Sequence, residues 1–154
     1  MPVYDYDNII NALKTAKKIW IVGDGGSAAL ADHFACDLLK NCELPAISLC
    51  SNSALITAIA NDYGFEDTFQ RQLKILFQPY EDLLIIFSTS GKSPNLINAA
   101  KKPDVIAVIG GNIDWWAKET MAYIFLIDGK DQMEIEDNML VFCHEVTRRI
   151  MCQS

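Results

Sequence analysis

Gly23-Asp24-Gly25-Gly26-Ser27 is a glycine-rich turn that joins an apolar run to a segment of good helix formers. The apolar run, residues 19–22, has the length and β-branched content of a buried strand. Three glycines in four residues let the chain turn sharply and bring backbone amides close to a ligand. Ser27 suits the N-cap or first turn of the following helix, and a helix N-terminus favours anions. The sequence here predicts an anion site between a strand and a helix.

The helix after this turn carries two ionisable side chains on one face. His33 and Asp37 lie four residues apart, which is one helical turn. Together with the anion site at the helix start, this pair suggests a single pocket. Each feature also has a purely structural interpretation. The turn is then a tight connection, and the His33–Asp37 pair is a surface or capping pair. The turn matches neither the dinucleotide fingerprint nor the Gly-Lys-Ser/Thr ending of a nucleotide P-loop.

The composition is that of an ordinary globular protein, with 51% apolar and 21% charged residues. A length of 154 residues fits one domain, residues 1–154. The formal net charge of −7 argues against nucleic-acid binding, which needs a basic footprint. No apolar run approaches the roughly 20 residues of a membrane helix, and residues 1–7 lack a signal-peptide pattern. Five cysteines without framework spacing indicate reduced thiols, so we expect a cytoplasmic protein without nucleic-acid or membrane partners.

Apolar runs and amphipathic segments alternate along the chain. The run at residues 82–87 is apolar at nearly every position, which is typical of a strand covered on both faces in a parallel sheet. The pattern predicts an α/β fold of the doubly wound type, a three-layer sandwich with helices on both faces of a five-stranded, mainly parallel sheet. The predicted strands are residues 18–22, 46–50, 82–87, 105–109 and 123–127. The predicted helices are residues 4–18, 27–40, 54–60, 65–76, 95–101, 113–120 and 134–151, with a turn at 61–64.

A second polar turn follows the run at 82–87 and reads Ser88-Thr89-Ser90-Gly91-Lys92-Ser93. It offers four hydroxyl groups, and Gly91 frees the backbone to form an anion-binding nest. A serine-rich surface loop is the alternative interpretation. Ligands of doubly wound sheets bind beyond the carboxyl ends of the strands, where both polar turns fall. We therefore expect the two turns to converge on one phosphate-bearing ligand.

Several segments resemble those of sugar isomerase (SIS) domains, which bind phosphosugars. Ser-Thr-Ser-Gly-Lys-Ser-Pro-Asn, which begins at Ser88, is similar to their phosphate loop. Four further segments resemble the sedoheptulose-7-phosphate (phosphoheptose) isomerases in particular. In chain order they are Gly-Asp-Gly-Gly-Ser-Ala-Ala, His-Phe-Ala, Leu-Pro-Ala-Ile-Ser-Leu and Leu-Ile-Thr-Ala-Ile-Ala-Asn-Asp-Tyr-Gly-Phe. The resemblance runs from residue 19 to the C-terminal helix.

The resemblance implies site residues, a metal and an assembly. It implies one zinc ion per site, with Asp37 also acting as the base and His144 as the acid. That family forms tetramers with active sites at subunit boundaries, so we expect a homotetramer, with a dimer as the alternative. The metal positions hold His33, Asp37, Glu136 and His144. The substrate positions hold Asp24, Gly25, Gly26, Ser27, Asn61, Asp62, Ser88, Thr89, Ser90, Ser93 and Glu136.

The chain departs from the family pattern at four positions. The family has asparagine where Asp24 stands, glutamate at Asp37 and glutamine at Glu136, and Asn41 replaces an arginine. Aspartate is one methylene shorter than glutamate, and a misplacement of about 1 Å can cost about 100-fold in rate. Most of the N-terminal helical extension that helps build the family's oligomer also has no counterpart in this sequence.

Two carboxylates and two imidazoles form a donor set that suits zinc. Glu136 and His144 are eight residues apart, however, which is about 12 Å along a helix. Both can reach one ion only if Glu136 precedes the regular helix or comes from a neighbouring subunit. Cys36 and Cys143, which adjoin the ligand positions, are expected to be buried packing residues.

The function expected from the resemblance is aldose–ketose isomerisation of a phosphosugar, namely sedoheptulose 7-phosphate to D-glycero-D-manno-heptose 7-phosphate through an enediol. A carboxylate would take a proton alpha to the carbonyl, and that proton would return at the neighbouring carbon. The alternative is a non-catalytic SIS-domain protein that binds a sugar phosphate or a regulatory protein partner. The changed base and the missing arginine motivate this alternative. A third hypothesis is isomerisation of a different sugar phosphate.

Overall fold

A computed structural model describes residues 5–111, 113–120 and 122–153. Its centre is a five-stranded sheet with the order β2-β1-β3-β4-β5, and each pair of neighbouring strands is parallel. The α/β prediction is confirmed, and the sheet is entirely rather than mainly parallel. The strands are β1 (Ile19–Val22), β2 (Ala46–Ser48), β3 (Leu83–Ser88), β4 (Val105–Ile109) and β5 (Tyr123–Leu126).

Helices cover both faces of this sheet, and a separate apolar cluster lies between the sheet and the helices on each face. One cluster packs α1, α2 and α7 against the sheet, and the other packs α4, α5 and α6 against the opposite face. No helix in the described ranges combines the length and the hydropathy that crossing a membrane would require. The helices are α1 (Tyr6–Thr15), α2 (Gly26–Cys42), α3 (Ser53–Tyr63), α4 (Thr68–Leu76), α5 (Pro94–Ala99), α6 (Asp114–Glu119) and α7 (Gln132–Cys152).

Strand β3 is the centre of the core, with all six of its residues buried. Leu83, Ile85 and Phe87 face α1, α2 and α7, while Leu84 and Ile86 face the other helical layer. Successive side chains of a strand point to opposite faces, so a strand between two helical layers must be apolar at every position. This explains why the run is continuous instead of alternating.

The region between β2 and β3 differs most from the sequence-based expectation. The predicted turn at residues 61–64 is wrong in extent, because α3 continues through Tyr63 and ends at Gly64, whose φ is +106°. Residues 61–63 are exposed but keep the helical conformation, and the positive φ of Gly64 ends the helix instead. A short 3-10 turn, Phe65–Asp67, then leads into α4. Phe77 is buried beside that helix.

The order of the strands determines where the two polar turns lie. The chain leaves β1 towards β2 on one side and leaves β3 towards β4 on the other. Neighbouring strands whose connections depart in opposite directions leave a crevice at their carboxyl ends, and ligands of such sheets bind there. Residues 23–27 follow β1 and residues 89–93 follow β3. Both polar turns therefore border the same crevice.

Replacing Ile85 with alanine tests the core assignment. Its side chain is fully buried at the centre of β3, so the substitution should lower the free energy of unfolding by about 2–5 kcal/mol. The same substitution at Ile75, which is 79% exposed on α4, should change it by less than about 0.5 kcal/mol. Urea unfolding followed by circular dichroism measures both values. Equal destabilisation of the two variants would contradict the assignment.

Candidate functional site

The first polar turn closes tightly onto the start of α2. Gly25 occupies the N-cap position with φ +56°, a conformation that glycine adopts without strain. The amides of Ser27 and Ala28 donate to the carbonyls of Asp24 and Gly25, at 3.0 Å each. Ser27 lies in the first turn of the helix, as predicted, but only 3% of it is exposed. Its hydroxyl group therefore packs below the loop, and its role in substrate binding stays a prediction.

Glu136 lies at the same end of α2. A Cβ atom on Gly26 would lie 2.5 Å from Oε2 of Glu136, so only glycine leaves room for this carboxylate. The sequence left open whether Glu136 precedes the regular helix. In the structure it lies inside α7, which begins at Gln132.

Helices α2 and α7 run in the same direction along the sheet. Gly26 faces Glu136 near their starts, and further along Cys42 approaches the carbonyl oxygen of Thr147, with Sγ at 3.8 Å. Between these points, His33 of α2 meets His144 of α7. The parallel alignment brings residues from two distant parts of the chain into one row.

His33, Asp37 and His144 converge in that row. The Nε2 atoms of the two histidines are 2.9 Å apart. Oδ2 of Asp37 lies 3.3 Å from Nε2 of His33 and 3.8 Å from Nε2 of His144. Nδ2 of Asn41 donates to Oδ1 of Asp37 at 3.2 Å, which leaves Oδ2 directed at the histidines.

This cluster fits a divalent metal ion. Its three donor atoms all lie within 4.8 Å of one another. Zinc binds nitrogen and oxygen ligands at about 2.0–2.2 Å in tetrahedral geometry, so two ligands of one ion are separated by about 3.3 Å. The observed separations of 2.9, 3.3 and 3.8 Å bracket that value. Three protein ligands would leave a fourth position for water or substrate.

Glu136 does not belong to this group of three. It lies near the start of the same row, beside Gly26, because eight residues of regular helix separate it from His144. Within one chain the predicted four-ligand site is therefore incomplete, and a metal role for Glu136 stays a prediction that requires a neighbouring subunit.

The two cysteines next to the metal positions differ in burial. Cys143 is fully buried, as expected, and burial raises the pKa of its thiol well above the usual value. Cys36 is exposed on α2, so the expectation of a buried packing residue is wrong there. The outer face of α2 that carries Cys36 and His33 is directed away from the sheet.

The second polar turn is held by its own side chains. Ser88 is buried, and its Oγ accepts a hydrogen bond from the amide of Gly91 at 3.0 Å. Oγ of Ser90 accepts from the amide of Lys92 at 3.2 Å. Gly91 has φ +66°, so the glycine permits the turn. Both hydroxyl groups keep their own proton for donation, but only Ser90 is exposed, so the role of Ser88 in substrate binding stays a prediction.

A buried amide that the sequence reasoning missed connects the two turns. Asn95 is fully buried, and its Nδ2 donates to Oδ1 of Asp24 at 2.8 Å and to Oγ1 of Thr68 at 3.3 Å. Its own Oδ1 accepts from the amide of Leu96 at 3.0 Å. Asn95 ends the motif at residues 88–95, but nothing local indicated that it would bridge to residue 24. The bridge confirms that the two turns converge.

The remaining predicted substrate residues differ in position. Thr89 and Ser93 are half-buried in the second turn. Asn61 and Asp62 lie on the last turn of α3, exposed and joined to each other by a hydrogen bond of 2.9 Å. Their contact with a substrate stays a prediction.

Comparison with known proteins identifies the family. Residues 6–109 match the family model for the SIS domain. The chain is 35% identical to the phosphoheptose isomerase of Campylobacter concisus, over 92% of this chain and 79% of that protein. It belongs to the phosphoheptose isomerase family of SIS-domain proteins.

Solved structures agree with this family assignment. The phosphoheptose isomerase from Neisseria gonorrhoeae superposes with a TM-score of 0.83 at 32% identity, covering 94% of this chain and 82% of that one. The phosphoheptose isomerase from Francisella tularensis superposes with a TM-score of 0.85 at 27% identity, covering 97% of this chain and 85% of that one. The SIS architecture therefore extends over nearly the whole chain.

One carboxyl of this SIS domain lies in an unfavourable environment. Oδ2 of Asp24 is buried and has no hydrogen-bond partner among the described residues. Burial raises the pKa of Asp24, and hydrogen bonding from Asn95 and Ser93 only partly opposes the shift. A buried charge with an unsatisfied oxygen costs free energy, so the ionised form of Asp24 destabilises the fold.

Replacing Asp24 with asparagine should change how stability depends on pH. A carboxyl group whose pKa is raised in the folded state binds its proton more tightly in the folded than in the unfolded chain. The stability gained from this protonated form is lost as pH rises from about 4 through the folded-state pKa. The variant lacks this loss. The variant's free energy of unfolding should therefore gain on that of the unmodified chain between pH 4 and pH 7. Urea unfolding at both pH values measures the gain, and parallel pH profiles would contradict it.

Proposed function

We propose that this chain interconverts sedoheptulose 7-phosphate and D-glycero-D-manno-heptose 7-phosphate. The observation that carries the proposal is the arrangement along α2. Its N-terminus lies beside the two anion-binding turns, and its middle supplies His33 and Asp37 to the cluster with His144. Helix α2 therefore carries a place for a phosphate at its N-terminus and, about two helical turns further on, a cluster suited to the reacting end of a sugar.

The length of this arrangement supports a long sugar chain. Seven residues separate Gly26 from His33, which corresponds to about 10 Å along the helix. An extended chain advances about 1.2 Å per bond, so eight bonds from the first carbon of a heptose 7-phosphate to its phosphorus also span about 10 Å. With its phosphate at the helix start, such a sugar would bring its carbonyl end to the histidine cluster.

The phosphate is held mainly by neutral groups. The two turns offer backbone amides and the hydroxyls of Ser90, Thr89 and Ser93, and the N-terminus of α2 adds the positive end of its dipole. Lys92 is exposed and is the second turn's own cation. An acidic protein can bind a phosphate in this way without a basic surface.

The chemistry of the isomerisation requires one carrier for a carbon proton and one for a hydroxyl proton. The Asp37 carboxylate takes a proton from C1 of the ketose, and the resulting enediol receives it back at C2. His144 moves the hydroxyl proton from O1 to O2, which leaves C1 as the aldehyde of the aldose. His33 contacts both other residues and fixes their mutual orientation.

His33, Asp37 and His144 would hold the zinc ion that the family resemblance implies. A zinc ion bound there would polarise the carbonyl and hydroxyl oxygens of the substrate as a Lewis acid. Asn41 restrains Oδ1 of Asp37 on the side away from the histidines. In this arrangement the carboxylate is positioned by neighbours on both sides.

A second candidate is a non-catalytic protein that binds a phosphosugar. The observation that favours it is the hydrogen bond from Asn41, which occupies one carboxylate oxygen of the short Asp37 side chain. A general base must reach the proton that it removes, and aspartate reaches less far than glutamate.

Variants of Asp37 separate these two candidates. Asp37→Asn keeps the shape but removes the basic oxygen, so turnover of sedoheptulose 7-phosphate should fall by about 100-fold or more, while phosphosugar affinity changes little. Asp37→Glu should leave turnover intact or raise it. Asp32→Asn removes the same charge from an exposed position of α2 and should retain activity. A coupled assay with added zinc measures turnover, and calorimetry measures affinity. If the unmodified chain and Asp37→Glu are both inactive with zinc bound, the isomerase proposal is refuted.

A homotetramer is part of the proposal, with a dimer as the alternative, and the cytoplasm is the proposed location. Helix α3 supports an assembly, because its sequence is largely apolar and yet Ile59 alone among its residues is buried in the single chain. Leu55 is 39% exposed on this helix. A neighbouring copy would remove such an apolar face from water.

Leu55→Lys tests that surface. A lysine in an apolar interface leaves a charge without water or partner, so the variant should dissociate into smaller species. Ile75→Lys places the same charge on α4, where the isoleucine is 79% exposed, and should leave the assembly intact. Sedimentation velocity at micromolar concentrations gives the masses. A monomeric unmodified chain would contradict the proposed assembly.

A further inference from the structure

Two indole N–H groups of this protein donate buried hydrogen bonds at opposite ends of the sheet, one to a backbone carbonyl and one to a carboxyl group. Nε1 of Trp116, on α6, donates to the carbonyl oxygen of Gly91 at 2.8 Å. Nε1 of Trp20, on β1, donates to Oδ2 of Asp82 at 2.9 Å. Trp116 is fully buried and Trp20 is 3% exposed. Only the first of these bonds reaches the second polar turn.

The bond from Trp116 determines which way the peptide between Gly91 and Lys92 faces. A trans peptide is planar, so its carbonyl oxygen and its N–H point in opposite directions. The carbonyl of Gly91 points at the buried indole. The amide of Lys92 must therefore point away from α6, and it does so towards Oγ of Ser90 at 3.2 Å.

The neighbouring strand end prevents the turn from moving as a whole. A Cβ atom on Gly111 would lie 2.5 Å from the carbonyl oxygen of Ser90, and one on Gly110 would lie 3.0 Å from that of Thr89. The backbone after β4 thus packs directly against residues 89–90. Rotation of the Gly91–Lys92 peptide remains available, because it changes only ψ of Gly91, where glycine is permissive, and φ of Lys92, and so does not require residues 89–90 to move.

We propose that Trp116 is a positioning residue for phosphate binding: its indole N–H holds the Gly91–Lys92 peptide with the amide, not the carbonyl oxygen, on the ligand side of the turn. Rotated by half a turn, this peptide would present a partial negative charge to the phosphate. The indole does not touch the ligand and acts only through the backbone. The inference rests on the proposed phosphosugar function and adds the residue that shapes its phosphate loop.

Trp116→Phe tests this role, with Trp20→Phe as the matched control. Each change keeps an aromatic ring and removes one buried indole donor. The acceptor of Trp20 is a buried carboxyl group and that of Trp116 is a backbone carbonyl, so Trp20→Phe should lose at least as much stability as Trp116→Phe. We expect Trp116→Phe to bind inorganic phosphate and sedoheptulose 7-phosphate about tenfold more weakly, in line with the loss of one buried hydrogen bond. Trp20→Phe should bind both as the unmodified chain does. In turnover, Trp116→Phe should raise KM about tenfold and leave kcat within about twofold.

A measurement on the unmodified chain covers the case in which Trp116→Phe does not fold. Hydrogen bonds in a chain strengthen one another, so a phosphate that shares the Lys92 amide with Oγ of Ser90, or replaces it, should strengthen the bond from Trp116 to Gly91. With ¹⁵N-labelled protein, the Trp116 indole resonance should therefore shift on addition of phosphate, while that of Trp20 should stay in place.

The results distinguish the inference from the function on which it rests. If the unmodified chain binds phosphate and Trp116→Phe binds it equally well, the inference is overturned and the proposed function stands. An indole resonance of Trp116 that does not move at saturating phosphate overturns it likewise. If the unmodified chain binds neither phosphate nor the phosphosugar, both are refuted.

Discussion

The reversal of strand order between β1 and β3 is the constraint on which the rest of this structure depends. Connections that leave two neighbouring parallel strands in opposite directions cannot cover the carboxyl ends of those strands. The crevice at these strand ends is therefore a consequence of topology and does not depend on which residues line it. Here both of the strands that border it are followed by glycine-containing polar turns, which can bring amides close to a ligand.

The alignment of α2 with α7 adds a second level of organisation. Because the two helices run in the same direction, residues about one hundred positions apart in sequence meet in a row along their contact. Glu136 lies beside Gly26 at the start of that row, and His144 lies beside His33 further along. The row separates the start of α2 from the histidine cluster by about two helical turns, a spacing set by helix geometry.

Satisfying buried polar groups links the two turns to each other. Asn95 donates to both Asp24 and Thr68 from a fully buried position. The buried indole N–H of Trp116 likewise donates to the carbonyl oxygen of Gly91 in the second turn. Unpaired buried polar groups are costly, so these bonds hold the loops in one conformation before any ligand arrives. Oδ2 of Asp24 is the exception, and burial accordingly raises the pKa of that carboxyl.

The sequence by itself determined the fold class, the five strands and both glycine-containing polar turns. These features depend on local signals: the continuous apolar run of β3 must be covered on both faces, and glycine is needed where φ is positive, as at Gly25 and Gly91. Tertiary structure alone decided the rest. Helix α3 continues through residues with turn propensity and keeps its backbone hydrogen bonds as far as Gly64, because local propensity is only a weak preference. The bridge from Asn95 to Asp24 and the meeting of His33 with His144 depend on which elements align, and no local pattern encodes that.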